Sequence, residues 1–131
     1  MNKKFPHRYG TKKVTIENAA GKPVQVKQVR HKFLFGCSEF STLPYVAGEM
    51  SAEDAAKAEK RYGHMAELMN SVTLPFYWGR YEEEQGKPDS VRMMNAAKFL
   101  REKGMVLKGH PLCWHTVCAP WLLEFSNEKI Y

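Results

Sequence analysis

From residue 32 onward, compact apolar runs alternate with stretches whose apolar residues recur at helical spacing, and this alternation limits the fold more than any other feature of the chain. Residues 32–40 (KFLFGCSEF) read as a strand buried on both faces, and residues 41–50, with Pro44 and Gly48, as a loop. Ser51 with Asp54 three positions on forms a capping box, and Ala55, Ala58, Tyr62, Met65 and Met69 then make one helical stripe. Residues 71–78 (SVTLPFYW) are a second strand, whose far end Pro75 demotes to a loop or an edge. A charged loop over residues 82–88 follows, with Gly86 and Pro88. Asp89 or Ser90 caps the next helix, Met93, Ala96, Ala97 and Leu100 form its apolar stripe, and Gly104 ends it. Residues 105–114 are a third strand, and Pro120 opens a further helix over residues 119–125. This order predicts an α/β fold of βαβ units around a parallel sheet. Three strands leave two bare edges, so the pattern is expected to be the front of a larger fold, completed by self-association or by a missing C-terminal portion.

Residues 1–31 differ in character. Two β-branched runs, residues 14–18 and 24–30, flank a turn at Gly21 and Pro23 and predict a short N-terminal β-hairpin. The chain therefore divides into a basic hairpin segment, 1–31, and an α/β body, 32–131. The net charge of +6 invites a nucleic-acid reading, but its distribution argues against one. Residues 1–32 hold nine Lys and Arg against Glu17 alone, whereas residues 33–131 carry 11 basic and 13 acidic residues. The basicity belongs to a solvated leading segment, and the body has no basic, aromatic-interleaved surface.

Hydrophobic residues at 44% and charged residues at 26% exclude wholesale disorder and collagen-like repeats. No apolar run approaches the ~18 residues of a transmembrane helix, so no membrane span is expected. The first ten residues show no apolar signal core, which leaves localisation undetermined. Cys37, Cys113 and Cys118 do not make a disulfide framework; Cys113 and Cys118 can pair only where the local backbone allows it.

The stretch richest in chemistry is KGHPLCWHT, residues 108–116, followed by APWLL at 119–123. His110 and His115 bracket Trp114 at the C-terminal end of the third strand, the end at which parallel barrels assemble their sites. Strand alternation puts 110, 112 and 114 on one face, with His115 turned away unless the strand has already ended.

Gly109-His110-x-Leu112-x-Trp114-His115, followed by Pro120-Trp121, resembles the third-strand signature of family-10 glycoside hydrolases, the endo-β-1,4-xylanases. Phe35-Gly36-Cys37 is similar to that family's first-strand motif. The stretch from Trp78-Gly79-Arg80-Tyr81-Glu82 to Gly86 is similar to the segment after its second strand, and Leu107-Lys108-Gly109 leads into the third. The resemblance spans residues 32–125, in order. It implies the first three units of a (β/α)8 barrel, a fold of typically about 250 residues. It also implies retaining hydrolysis of a β-1,4-linked polysaccharide such as xylan by two glutamates about 5–5.5 Å apart. Those glutamates lie after the family's fourth strand and on its seventh, so no catalytic residue is expected in this chain and no cofactor is needed. By resemblance His110 hydrogen-bonds the sugar next to the scissile bond, and Trp114, His115 and Trp78 line the same region. The family's polar sugar ligands on the second strand are replaced by Thr73-Leu74-Pro75-Phe76-Tyr77, and its glutamine after the third by Val117. The chain reads as a divergent member, with Tyr77 and Phe76 positioned to stack on a pyranose.

Other readings attach to the same residues. A non-catalytic carbohydrate-binding module would use Phe76, Tyr77, Trp78 and Trp114 to hold a glycan without cleaving it. Cys113, His115 and Cys118 have zinc-compatible chemistry, but C-x-H-x-x-C matches no closed four-ligand pattern, so no metal is expected. Glu82, Glu83 and Glu84 read as a solvated loop, Trp121 as core, and Cys37 as a small core residue.

Overall fold

The computed structural model describes residues 5–126 and 128. The chain forms two units, Met1–His31 and Lys32–Tyr131.

In the first unit a 3-10 turn, Pro6–Arg8, precedes an extended stretch. A turn forms where expected: Lys22 N donates to Ala19 O at 3.0 Å, and Gly21 takes a φ of +72°. The hairpin does not form, because residues 11–30 contain no strand. Val14, Ile16, Val24, Val26 and Val29 are all exposed, the last two at 91% and 88%. A two-stranded ribbon with no apolar face against a core is marginal at best, and lysines on both arms repel one another. Lys3 and Lys4 of the basic segment lie outside the described residues.

The second unit is mixed α/β around a small parallel sheet. Its elements are β1 (Gly36–Ser38), α1 (Thr42–Val46), α2 (Ala52–Leu68), β2 (Ser71–Tyr77), α3 (Trp78–Tyr81), α4 (Ser90–Glu102) and β3 (Val106–Leu112). Short 3-10 turns follow at His115–Val117 and Pro120–Glu124, the latter where a helix was expected. The strands lie in the order β1-β2-β3, all parallel, with Gly36 opposite Ser71 and Ser71 opposite Val106. Gly36 is required there, since a Cβ would collide with the carbonyl oxygen of Ser71.

Two expectations need correction at β1. The strand covers three residues, not nine, and the run is not buried on both faces: Phe33, Leu34, Phe35 and Phe40 are exposed. β1 has one strand neighbour, and only Cys37 packs against the core. The stretch read as a loop contains α1, where Pro44 falls in the first turn and deprives the helix of no backbone bond it would otherwise make.

Pro75 does not end β2. Thr73 O accepts from Glu39 N at 3.0 Å, so residues of the same parity turn their backbone polar groups toward β1. Pro75 shares that parity but lies beyond the end of β1, so its missing N–H breaks no ladder bond while its neighbours continue pairing with β3.

The core sits between the sheet and the helices α2 and α4. Ser51 caps α2 as expected, its Oγ accepting from Asp54 N at 3.1 Å. Ala58, Tyr62 and Met65 of α2, Met93, Ala96 and Leu100 of α4, and Val72 and Leu74 of β2 are buried together. Tyr62 meets Tyr45 and Phe99 edge-on, and Tyr45 and Phe99 lie tilted to each other, with ring centroids 5.2–5.3 Å apart. Asn70 ties the strand starts: its Oδ1 accepts from Phe35 N and its Nδ2 donates to Phe33 O, each at 2.8 Å. The other face of the sheet, with Ser38, Lys108, His110 and Leu112, stays exposed. Among the described residues no helix is long and apolar enough to cross a membrane.

Leu100 is fully buried at the centre of this layer. Leu100→Ala is expected to cost about 2–5 kcal/mol of unfolding free energy in urea titration, against within about 0.5 kcal/mol for the exposed Val91→Ala. Equal effects would refute this placement of the core.

Candidate functional site

The C-terminal ends of the three strands gather most of the residues singled out by sequence. Tyr77 is the last residue of β2, and its ring lies 5.8 Å from that of Trp114 and 6.2 Å from that of Phe40. Trp114 in turn meets His115 edge-on at 6.4 Å. Phe40, Tyr77 and Trp114 thus form a row of aromatic rings, with Phe40 and Trp114 about half exposed at 51% and 43%. Such a row offers flat apolar faces to solvent where a packed core would hide them.

His110 lies in β3 opposite Pro75 and is exposed on the bare side of the sheet. Strand alternation does not carry through to Trp114, because β3 ends at Leu112, whose φ of +59° turns the chain. His115 opens the 3-10 turn that follows, so it is not confined to the opposite face of a strand.

Trp78 is held apart from the row. Its Nε1 donates to Glu82 Oε2 at 2.9 Å, and its ring meets Trp121 edge-on at 5.7 Å. Trp121 Nε1 donates to the carbonyl oxygen of Glu82 at 3.0 Å, and Gly86 N to Glu82 Oε1 at 2.7 Å. Glu82 is therefore the anchor of two tryptophans and a turn, while Glu83 and Glu84 are exposed as expected of a loop. α3 can approach the turn after β3 because residue 79 is glycine; a Cβ would strike the carbonyl oxygen of Cys118.

Other charged groups at this end were not legible as site residues. Glu39, just after β1, is a buried carboxylate at 6% exposure. It accepts from Ser41 N at 2.7 Å and from Ser41 Oγ, with Arg61 Nε 3.6 Å away. Nothing in KFLFGCSEF signals this, since the partner Arg61 comes from α2. Burial first, and the Glu39 charge second, push the Cys37 thiol up against a smaller opposing effect of Arg61, leaving it a thiol and not a nucleophile. Cys37, Cys113 and Cys118 are all free. Among the described residues no three His, Cys, Asp or Glu side chains come together as a metal site requires.

A cleft of about 180 Å³ lies beside the aromatic row, lined by Phe40, Pro75, Arg80, Tyr81, Asp89 and Arg92 among others. It includes none of Tyr77, Trp78, His110, Trp114 or His115. Arg92 is neutralised there, with Nη2 2.6 Å from Glu49 and Nη1 3.3 Å from Asp89.

The Trp78 hydrogen bond, and then the Gly86 amide, hold the Glu82 carboxyl below the ordinary glutamate range. A lowered folded-state pKa stabilises above the unfolded value, and that contribution is lost as pH falls through the folded value. The near-UV circular dichroism of the tryptophans is therefore expected to hold from about pH 7 to about pH 5 and to change only below the ordinary glutamate range. In Glu82→Gln that acid limb should be absent; an unchanged limb would show that another group causes it.

No family model matches the chain. Over 62 residues it is 36% identical to an endo-1,4-beta-xylanase/feruloyl esterase of Xylanibacter ruminicola. The matched stretch is 46% of this chain and 8% of that protein, so the chain spans a small part of its relative's length.

Proposed function

We propose that this chain is the N-terminal part of a xylanase-like glycoside hydrolase barrel and contributes residues that bind a β-1,4-linked polysaccharide such as xylan. The observation that carries the reading is the exposed aromatic row at the C-terminal end of the parallel sheet. The local likeness to a protein named as a xylanase and feruloyl esterase supports the choice of glycan. The parallel order β1-β2-β3, with helices on one face and the other face bare, supports a barrel whose lumen side would be that bare face.

On this reading Tyr77 and Trp114 stack on sugar rings, and His110 and His115 offer nitrogen groups to hydroxyls at the rim. The retaining mechanism needs a carboxylate pair across the scissile bond, and the family's pair lies after its fourth strand and on its seventh. We assign no catalytic carboxylate among the three strands present here. The same row would serve a non-catalytic binding module, and activity separates the two only in a longer chain.

Affinity electrophoresis in xylan gels tests the reading. The chain should be retarded by xylan and release no reducing sugar. Trp114→Ala should weaken retention by roughly 2 kcal/mol, about thirtyfold in Kd, as truncating a contact tryptophan does. Migration unaffected by xylan would sink the reading, and sugar release by the mass-verified chain would sink the assignment of the carboxylates.

A further inference from the structure

We infer that Arg80 makes the aromatic row selective for glycans bearing uronic-acid substituents, its guanidinium pairing with the uronate carboxylate; this rests on the glycan-binding reading above. Arg80 stands in α3, directly after β2, and is exposed. Its guanidinium carbon lies 5.6 Å from the centre of the Tyr77 ring, the middle member of the row. It also lines the adjoining cleft.

What distinguishes Arg80 is its charge balance. The other cations nearby are ion-paired: Arg92, in the cleft, with Glu49 and Asp89, and Lys87, in an adjoining depression that Arg80 also lines, with Glu84. Among the described residues no carboxylate lies within ion-pair distance of Arg80, although Asp89 lines the cleft with it and Glu83 and Glu84 line the adjoining depression. Its partner is an aromatic ring, which takes none of the five guanidinium N–H donors in an ordinary hydrogen bond. A planar, permanently charged fork is thus held beside the surface on which a sugar would stack, with its donors uncommitted. A neutral pentose has nothing that needs a cation there. A uronate on the same backbone presents two oxygens that match the fork in bidentate geometry.

Calorimetric titration of the whole chain with one soluble xylo-oligosaccharide carrying a single glucuronic acid, and with the same oligosaccharide after carboxyl reduction, tests this. The acid form should bind about fivefold tighter, the upper range for an exposed ion pair, and the gap should narrow at about 0.5 M salt. Arg80→Ala should bind the two forms equally, and Arg80→Lys should keep part of the preference, having the charge without the fork. An Arg80→Ala variant that still favours the acid, or that binds neither form, overturns the inference; the first result would transfer the preference to the basic leading segment. Equal binding of both forms by the unmodified chain overturns it and leaves the glycan reading standing. Binding of neither form by the unmodified chain overturns both.

Discussion

Val72 and Leu74 of β2 turn toward α2 and α4, and the rest of the body depends on that one-sided burial. Parallel strands cannot be joined by tight turns, so each crossover carries a helix, and here both long helices pack on one face. Tyr62 and Leu100 fill the layer between helix and sheet, and the ring contacts of Tyr62 with Tyr45 and Phe99 bring α1 into it. Among the described residues no helix packs on the opposite face, where Ser38, Lys108, His110 and Leu112 are exposed and the alternate residues of β2 half-buried, so the strand ends can present groups to solvent.

At the C-terminal ends of the strands, close backbone approach does the positioning. Glycine at position 79 lets α3 meet the turn after β3, and glycine at position 36 lets β1 lie against β2. Glu82 then joins Trp78, Trp121 and Gly86 by accepting three hydrogen bonds, two at its carboxylate and one at its carbonyl oxygen. The tryptophans divide between two tasks. Trp78 and Trp121 brace the α3 turn, while Trp114 joins Tyr77 and Phe40 in the exposed row. A motif containing Trp78 and Trp114 together does not by itself say which of them braces a turn and which stays exposed.

The two long helices, α2 and α4, were legible because their information is local, whereas the short α1 was read as a loop. Ser51 and Asp54 mark one start, Gly104 one end, and the stripes through Tyr62 and Leu100 follow the 3.6-residue repeat. The strand order followed from the alternation of runs. Legibility failed where an outcome depends on what lies beside a segment. Residues 14–30 have the composition of a hairpin, but their valines and isoleucine stay exposed and they form no strand. The run around Cys37 has the hydrophobicity of a central strand but lies at an edge. Pro75 reads as the mark of a loop or an edge, and which of the two it is depends on β1 stopping short of it, which leaves β2 an edge on that side.

The amino-acid sequence by itself determined the α/β class of the body, the limits of its two long helices and their buried stripes, because periodicity and capping are properties of neighbours along the chain. Only the tertiary structure decided that Glu39 is buried beside Arg61, that Glu82 anchors two tryptophans, that Phe40 joins Tyr77 and Trp114, and that Arg80 stands over Tyr77 without a carboxylate partner. Most of those pairings join segments far apart in the chain. Even the local Arg80–Tyr77 contact depends on where β2 ends and α3 turns, and burial and charge pairing are set by such packing, which no local pattern records.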